Sequence, residues 1–149
     1  MKNNKIIIPE LDIVIILANG AGLKKIPILL DTDGFEKLDD LVKGTFYVNV
    51  SKRTAYAFFA KQSGQIRTIN SMHRLLTDCP NHLVVDHHPN HYGLDNRSEN
   101  LTVVTPEINL ANAHKEKDRP ILFESLSNLD DLDAIKRDIQ TIKRFRVKK

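Results

Sequence analysis

Residues 84–112 read VVDHHPNHYGLDNRSENLTVVTPEINLAN. A short apolar run ends in Asp86-His87, and an irregular polar loop rich in His, Asn and Gly follows. A second apolar run, Leu101 to Val104, then meets Thr105-Pro106. That dipeptide has the form of a helix start: the Thr hydroxyl can accept from an orphan amide, Pro at the first helical position sacrifices no bond, and Glu107 suits the positive pole of the dipole. The order is therefore strand, loop, strand, helix. Asn109 sits about one turn into the helix. If the strands form a hairpin with the helix folded across it, Asp86 and Asn109 converge despite 23 positions of separation.

Working outward, Ser71 is placed to cap a short helix through His73, Leu75 and Leu76, ended by Cys79-Pro80. Upstream, Thr45 to Val50, Ala55 to Ala60 and Ile66 to Ile69 are strand-like, separated by Ser51-Lys52-Arg53 and Gln62-Ser63-Gly64-Gln65 as turns. Phe35, Leu38, Leu41 and Val42 have helical spacing, predicting a short helix from Phe35 to Lys43 with Asp33 able to cap it. Asp12 to Ala18 (DIVIILA) lacks polar alternation, so this strand is either buried on both faces or paired with another chain. Asn19-Gly20-Ala21-Gly22 is a turn signal, and Ile26 to Leu30 is a further short apolar run. Downstream of a charged connector at Lys115 to Pro120, Leu129, Leu132, Ile135, Ile139, Ile142 and Phe145 recur at three- and four-residue steps. They predict a helix from Asn128 to Phe145 whose stripe packs on the core or pairs with a second copy as a homodimer.

With 149 residues, 41% hydrophobic and 28% charged, the chain suits one domain with a real core and leaves room for an appended arm. No apolar run approaches the roughly 20 residues that span a bilayer. The polar start and Pro9 after Ile6 to Ile8 argue against a signal peptide. Cys79, the single cysteine, can form no internal disulfide and fits a reducing compartment, so the cytoplasm is the expected location and no membrane partner is expected. The net charge of +3 is unevenly spread: residues 136–149 hold seven basic side chains against Asp138, a local +6, and the remainder carries −3. Such a tail suits nucleic acid or another polyanion; it equally suits a solvated helix end with cations at the negative pole of the dipole.

A carboxylate and an amide oxygen are hard ligands, suited to Mg²⁺ or Mn²⁺ with water and a substrate phosphate completing the shell. An adjacent imidazole can take a proton from water near neutral pH. Together they meet the needs of phosphodiester hydrolysis.

The set Asp86-His87, Leu94-Asp95-Asn96-Arg97, Glu99-Asn100-Leu101, Val103-Val104-Thr105 and Asn109, with Met72-His73-Arg74-Leu75 ahead of it, resembles the HNH endonucleases. The likeness is to phage and intron-encoded homing-type members with a ββα-metal core, and it covers about residues 26–115. It implies a bacterial or phage-encoded DNA endonuclease. His87 would be the general base, and Asp86 and Asn109 would hold one Mg²⁺ or Mn²⁺ per active site. Asn100 would fix the loop that orients His87. His73, Arg74 and Arg97 would support the site or contact phosphate of double-stranded DNA, with Lys143, Arg144 and Arg146 of the tail as further contacts. Two departures are visible: the loop after Asp86-His87 is longer than usual and adds His88 and His91, and the paired zinc-binding cysteines of other HNH proteins are absent.

The expected architecture is α+β: a mostly-β region at residues 1–71, a ββα-metal core at 72–117, and a C-terminal amphipathic helix with a basic tail at 118–149. The rival functions are a non-catalytic DNA-binding regulator on the same scaffold and a zinc-stabilised interaction module built on Cys79, His82, His87, His88 and His91. The spacing of that last set matches no common zinc pattern.

Overall fold

An unbroken apolar strand is satisfied only where both of its faces are covered, and the run from Asp12 to Ala18 finds that place in the middle of a sheet. The computed structural model describes residues 1–51, 55–88, 90–114 and 129–147, without the side chains of residues 62, 113, 114 and 140–147. Strand β2 (Ile13–Gly20) is flanked by β1 (Lys5–Ile8) and β3 (Leu23–Asp31), both antiparallel to it. Ile13, Val14, Ile15 and Ile16 are each at most 1% exposed, so burial on both faces is the outcome. The turn joining β2 to β3 uses consecutive positive φ angles at Ala21 (+50°) and Gly22 (+75°), a backbone twist that matches that of the strands it joins.

Helix α1 (Thr32–Leu41) follows β3 directly. Its N-cap is Asp31, whose Oδ1 accepts from the Gly34 amide at 2.8 Å, and Asp33 lies in the first turn rather than at the cap. Leu38 and Val42 are buried, but Leu41 is 57% exposed, so the apolar face is narrower than its spacing implies. A second antiparallel sheet runs β4 (Tyr47–Val50), β5 (Ala55–Ser63) and β6 (Ile66–Ser71). It meets the first sheet so closely that a Cβ on Gly20 would lie 1.8 Å from the Val48 carbonyl oxygen; only glycine fits there. Beyond Ala60 the β5–β6 ribbon leaves the body: Lys61, Ser63, Gln65, Ile66, Arg67, Thr68 and Ile69 are all exposed.

Helix α2 (Met72–Thr77) begins without a side-chain cap from Ser71, contrary to expectation. It ends at Asp78 in the left-handed conformation. Strands β7 (Val84–His87) and β8 (Leu101–Val104) form a two-stranded sheet with His87 opposite Leu101, and α3 (Pro106–His114) follows. The Thr105 hydroxyl accepts from the Ile108 amide at 3.3 Å, as its place before Pro106 requires. Helix α4 (Leu132–Val147) starts over Asp131, whose carboxylate accepts from the Asp133 and Ala134 amides. Its Ile135 and Ile139 join the core that holds Ile8, Leu30, Met72 and Leu94, and Lys136 pairs with Glu10. These two stripe residues therefore pack inward. The molecule is a mixed α+β structure of small antiparallel sheets and short helices, and no helix among the described residues is long and apolar enough to cross a membrane.

Candidate functional site

The irregular chain between β7 and β8 is held by side-chain chemistry where regular structure is missing. Its Leu94–Asn96 segment adds to the free edge of β3: the Leu29 amide donates to the Leu94 carbonyl and the Asn96 amide to the Leu29 carbonyl, each at 2.8 Å. Between these bonds Asp95 turns inward, fully buried, and accepts from Arg97 Nε and Nη2 at 2.7 Å each and from Asn90 Nδ2 at 2.6 Å. Burial works against the Arg97 cation, but the Asp95 hydrogen bonds and charge outweigh it and raise the guanidinium pKa. Asp31, already the cap of α1, accepts from the Ser98 amide through its second oxygen at 2.8 Å. Asn100 is fully buried; its Oδ1 accepts from the Asn90 amide at 3.2 Å, its Nδ2 donates to the Asp95 carbonyl at 2.9 Å, and its own carbonyl accepts from the His88 amide at 3.0 Å. Both limbs of the loop thus hang on one amide side chain. At Gly93 the loop presses on β5, where a Cβ would come within 2.1 Å of the Ala55 carbonyl oxygen.

This scaffold closes one side of a cavity of about 250 Å³ that brings together Asp86, His87 and Asn109 with His73, Arg74, His91 and Tyr56. Asp86 and His87 end β7, both nearly buried. Asp86 Oδ2 accepts from Asn112 Nδ2 at 2.6 Å, and its Oδ1 lies 4.0 Å from His91 Nδ1. His87 Nε2 is 2.8 Å from Asn96 Oδ1, while Asn96 Nδ2 points at Met72 Sδ, 3.3 Å away. With the amide oriented so, Nε2 carries the proton and donates, which puts the lone pair of a neutral His87 on Nδ1. The His87 ring is also packed edge-on against His73 (centroids 5.0 Å apart) and tilted against Tyr56 (5.6 Å).

His73 is neutral. Burial first, then the charges of His87 and Arg74, push its pKa down to about 3, and its Nδ1 is buried without a hydrogen-bond partner. Arg74 borders the cavity while its guanidinium donates to the Leu83 carbonyl at 2.7 Å, the Pro80 carbonyl at 3.3 Å and Cys79 Sγ at 3.5 Å. Arg97 faces the interior, committed to Asp95. Lys143, Arg144 and Arg146 have side chains outside the described residues.

Four residues at the site stand outside the expected base and metal-ligand set, and of these only His91 has an expected role, in the zinc alternative. Asn112, one helical turn past Asn109, shares its face and takes the contact with Asp86. Asn96 lies inside the LDNR run and anchors His87. His91 is buried in the cavity, whereas His82 and His88 are exposed. Tyr56 arrives from another sheet, which no local pattern could signal. Among the described residues no three His, Cys, Asp or Glu side chains gather into a metal cage. Asp86 with the side-chain amide of Asn109, in contrast, places two hard donors in one cavity, a donor chemistry that fits Mg²⁺ or Mn²⁺. In comparisons with known proteins, no family model, no curated protein and no solved structure matches this chain.

Proposed function

We propose that the chain is a divalent-metal-dependent DNA endonuclease of the HNH type, hydrolysing phosphodiester bonds at the cavity between β7, α2 and α3. The observation that carries this reading is the anchored imidazole: His87 is held at Nε2 by Asn96, directly beside Asp86 and in one cavity with Asn109. His87 takes a proton from the attacking water through Nδ1, near-neutral chemistry for an imidazole. Asp86 and Asn109 hold the ion, with Asn112 fixing the carboxylate by its bond to Oδ2. When bound, Mg²⁺ or Mn²⁺ supplies electrostatic stabilisation of the charge that builds on the phosphate and the leaving 3′ oxygen. Asn100 and the Asp95–Arg97 pair keep the loop in register, so Arg97 is structural in this reading.

The exposed β5–β6 ribbon supplies the duplex contact. Both faces of its outer half are exposed and it carries Lys61 and Arg67. A two-stranded ribbon of this kind fits the major groove. Phosphate contacts by these side chains and by the basic tail make affinity fall with salt.

Supercoiled plasmid incubated with Mg²⁺, Mn²⁺ or EDTA tests the reading. Nicking or linearisation is expected with either metal and not with EDTA, and His87→Ala is expected to slow it by about 10²–10⁴-fold while DNA binding persists. Cleavage that survives His87→Ala removes His87 as the base. Binding without cleavage under every metal makes the protein a DNA-binding regulator instead.

A further inference from the structure

The loop holds one imidazole inside the cavity at a conformational cost. His91 has φ +58°, the left-handed region that a non-glycine residue enters only with strain of about 1–2 kcal/mol. Among the described residues the other non-glycine positions with positive φ, Asp12, Ala21, Lys25 and Asp78, are all exposed. His91 instead is 6% exposed, and the loop is built to hold it. The preceding Asn90 wraps the turn, its Oδ1 accepting from the Tyr92 amide at 3.0 Å and its Nδ2 donating to buried Asp95. The exposed His88 ring packs edge-on against the His91 ring, with centroids 5.3 Å apart. The outcome is His91 Nδ1 4.0 Å from Asp86 Oδ1, both in the cavity that Asn109 lines.

From this we propose that His91 is a third protein ligand of the divalent ion, joining Asp86 and Asn109 and tuning the site toward Mn²⁺ and later transition metals. The inference rests on the metal site of the proposed endonuclease. A separation of 4.0 Å is within twice an ordinary metal–ligand distance of about 2.0–2.2 Å, so one ion can contact both atoms. An all-oxygen set of carboxylate, amide and water favours Mg²⁺ no less than Mn²⁺ in geometry, whereas an imidazole nitrogen adds affinity in the order Mg²⁺ < Mn²⁺ < Ni²⁺. The longer loop is then the device that brings a borderline ligand to an otherwise hard site.

Metal binding to the full chain, measured by calorimetry at one pH with Mg²⁺, Mn²⁺ and Ni²⁺, reads the ligand set without relying on cleavage. The wild type is expected to bind Mn²⁺ and Ni²⁺ more tightly than Mg²⁺. His91→Asn, which tolerates the left-handed backbone and so preserves the fold, is expected to weaken Mn²⁺ by about 10–100-fold and to narrow the preference over Mg²⁺. Pulsed electron paramagnetic resonance of the Mn²⁺ complex should show coupling to a directly bound nitrogen, lost in His91→Asn and retained in His88→Ala. If Asp86→Asn abolishes binding but His91→Asn leaves affinity, selectivity and nitrogen coupling unchanged, His91 is not a ligand and the Asp86 site stands. If the wild type binds none of the metals, or Asp86→Asn binds them undiminished, the metal site itself is overturned and this inference with it.

Discussion

The inner half of the β2–β3 hairpin and the Asn90–Arg97 segment of the loop between β7 and β8 are both buried, and they are ordered by contrasting means. In the hairpin Ile15, Ile16, Ile28, Leu29 and Leu30 are inaccessible and carry no polar side-chain atom. Their stability comes from apolar area removed from water and from close packing. In the loop the polar side chains of Asp95, Asn96, Arg97 and Asn100 are buried as deeply, beside apolar Leu94 and Tyr92, and each of these four polar side chains is hydrogen-bonded. The two meet at Leu29, whose amide donates to the Leu94 carbonyl and whose carbonyl accepts from the Asn96 amide. An apolar core degrades by degrees when atoms are removed. A buried polar network fails at the first missing partner, because the atom left behind is desolvated and unpaired. That sensitivity suits a segment whose task is to hold imidazoles at fixed positions.

The sharpest way to break the comparison is Arg97→Met. The substitution is close in volume, yet it removes the guanidinium that donates twice to the buried Asp95 carboxylate and balances its charge. The expected loss is about 3–5 kcal/mol in urea denaturation. Replacing both partners with apolar residues should recover much of it, since no charge is then left buried. A loss under 1 kcal/mol for the single change would mean that the loop is not held by this pair.

A pH titration of stability probes the wall where core and loop meet the cavity. The folded pKa of His73, about 3, lies below its ordinary value of 6.5. The unfolded chain therefore binds the extra proton first, and stability rises with pH. This contribution is fully present above about pH 6.5 and is lost as pH falls toward 3, amounting to about 2 kcal/mol by pH 5. His73→Phe keeps an aromatic ring beside Tyr56 and His87 and removes the titration. Its stability difference between pH 7 and pH 5 should be smaller than the wild type's by about that amount; equal differences would show that His73 does not titrate with folding.

The same contrast explains what could be read from the chain before its fold. Apolar runs and turn chemistry are local, so the β2–β3 hairpin, the β4–β6 sheet and the β7–loop–β8–α3 order all follow from the residues themselves. Strand β1 is missed because four residues ending at Pro9 carry too little pattern until β2 pairs with them. Asp31 displaces Asp33 as the cap of α1 because the helix starts as soon as β3 ends. At the site, Asp86, His87 and Asn109 could be named because motif spacing implies convergence. Asn112 and Tyr56 could not, and His91 enters only the zinc alternative, since their places depend on which face of α3 meets β7, on how two sheets pack, and on one left-handed residue. For Arg74 and Arg97 the resemblance leaves a supporting role and a phosphate contact both open, because charge is visible in a sequence but the carbonyl and carboxylate acceptors that absorb it are not.

The smallest expected effect lies on the apolar side. Ile15→Val removes one methylene from the centre of β2, where the side chain is fully buried and still β-branched. The cost is about 0.5–1.5 kcal/mol, a transfer and cavity loss that neighbouring side chains partly absorb. Because β2 contributes no atom to the cavity near Asp86, plasmid nicking by Ile15→Val should match the wild type at temperatures where both are folded. Asn96→Leu is the counterpart on the polar side: branched in the same way though larger, it removes the acceptor from His87 Nε2 and frees the imidazole to take either tautomer. Nicking should then fall well beyond any change in stability. Equal, minor effects of the two substitutions on nicking would mean that His87 needs no fixed tautomer, and that the loop serves folding alone.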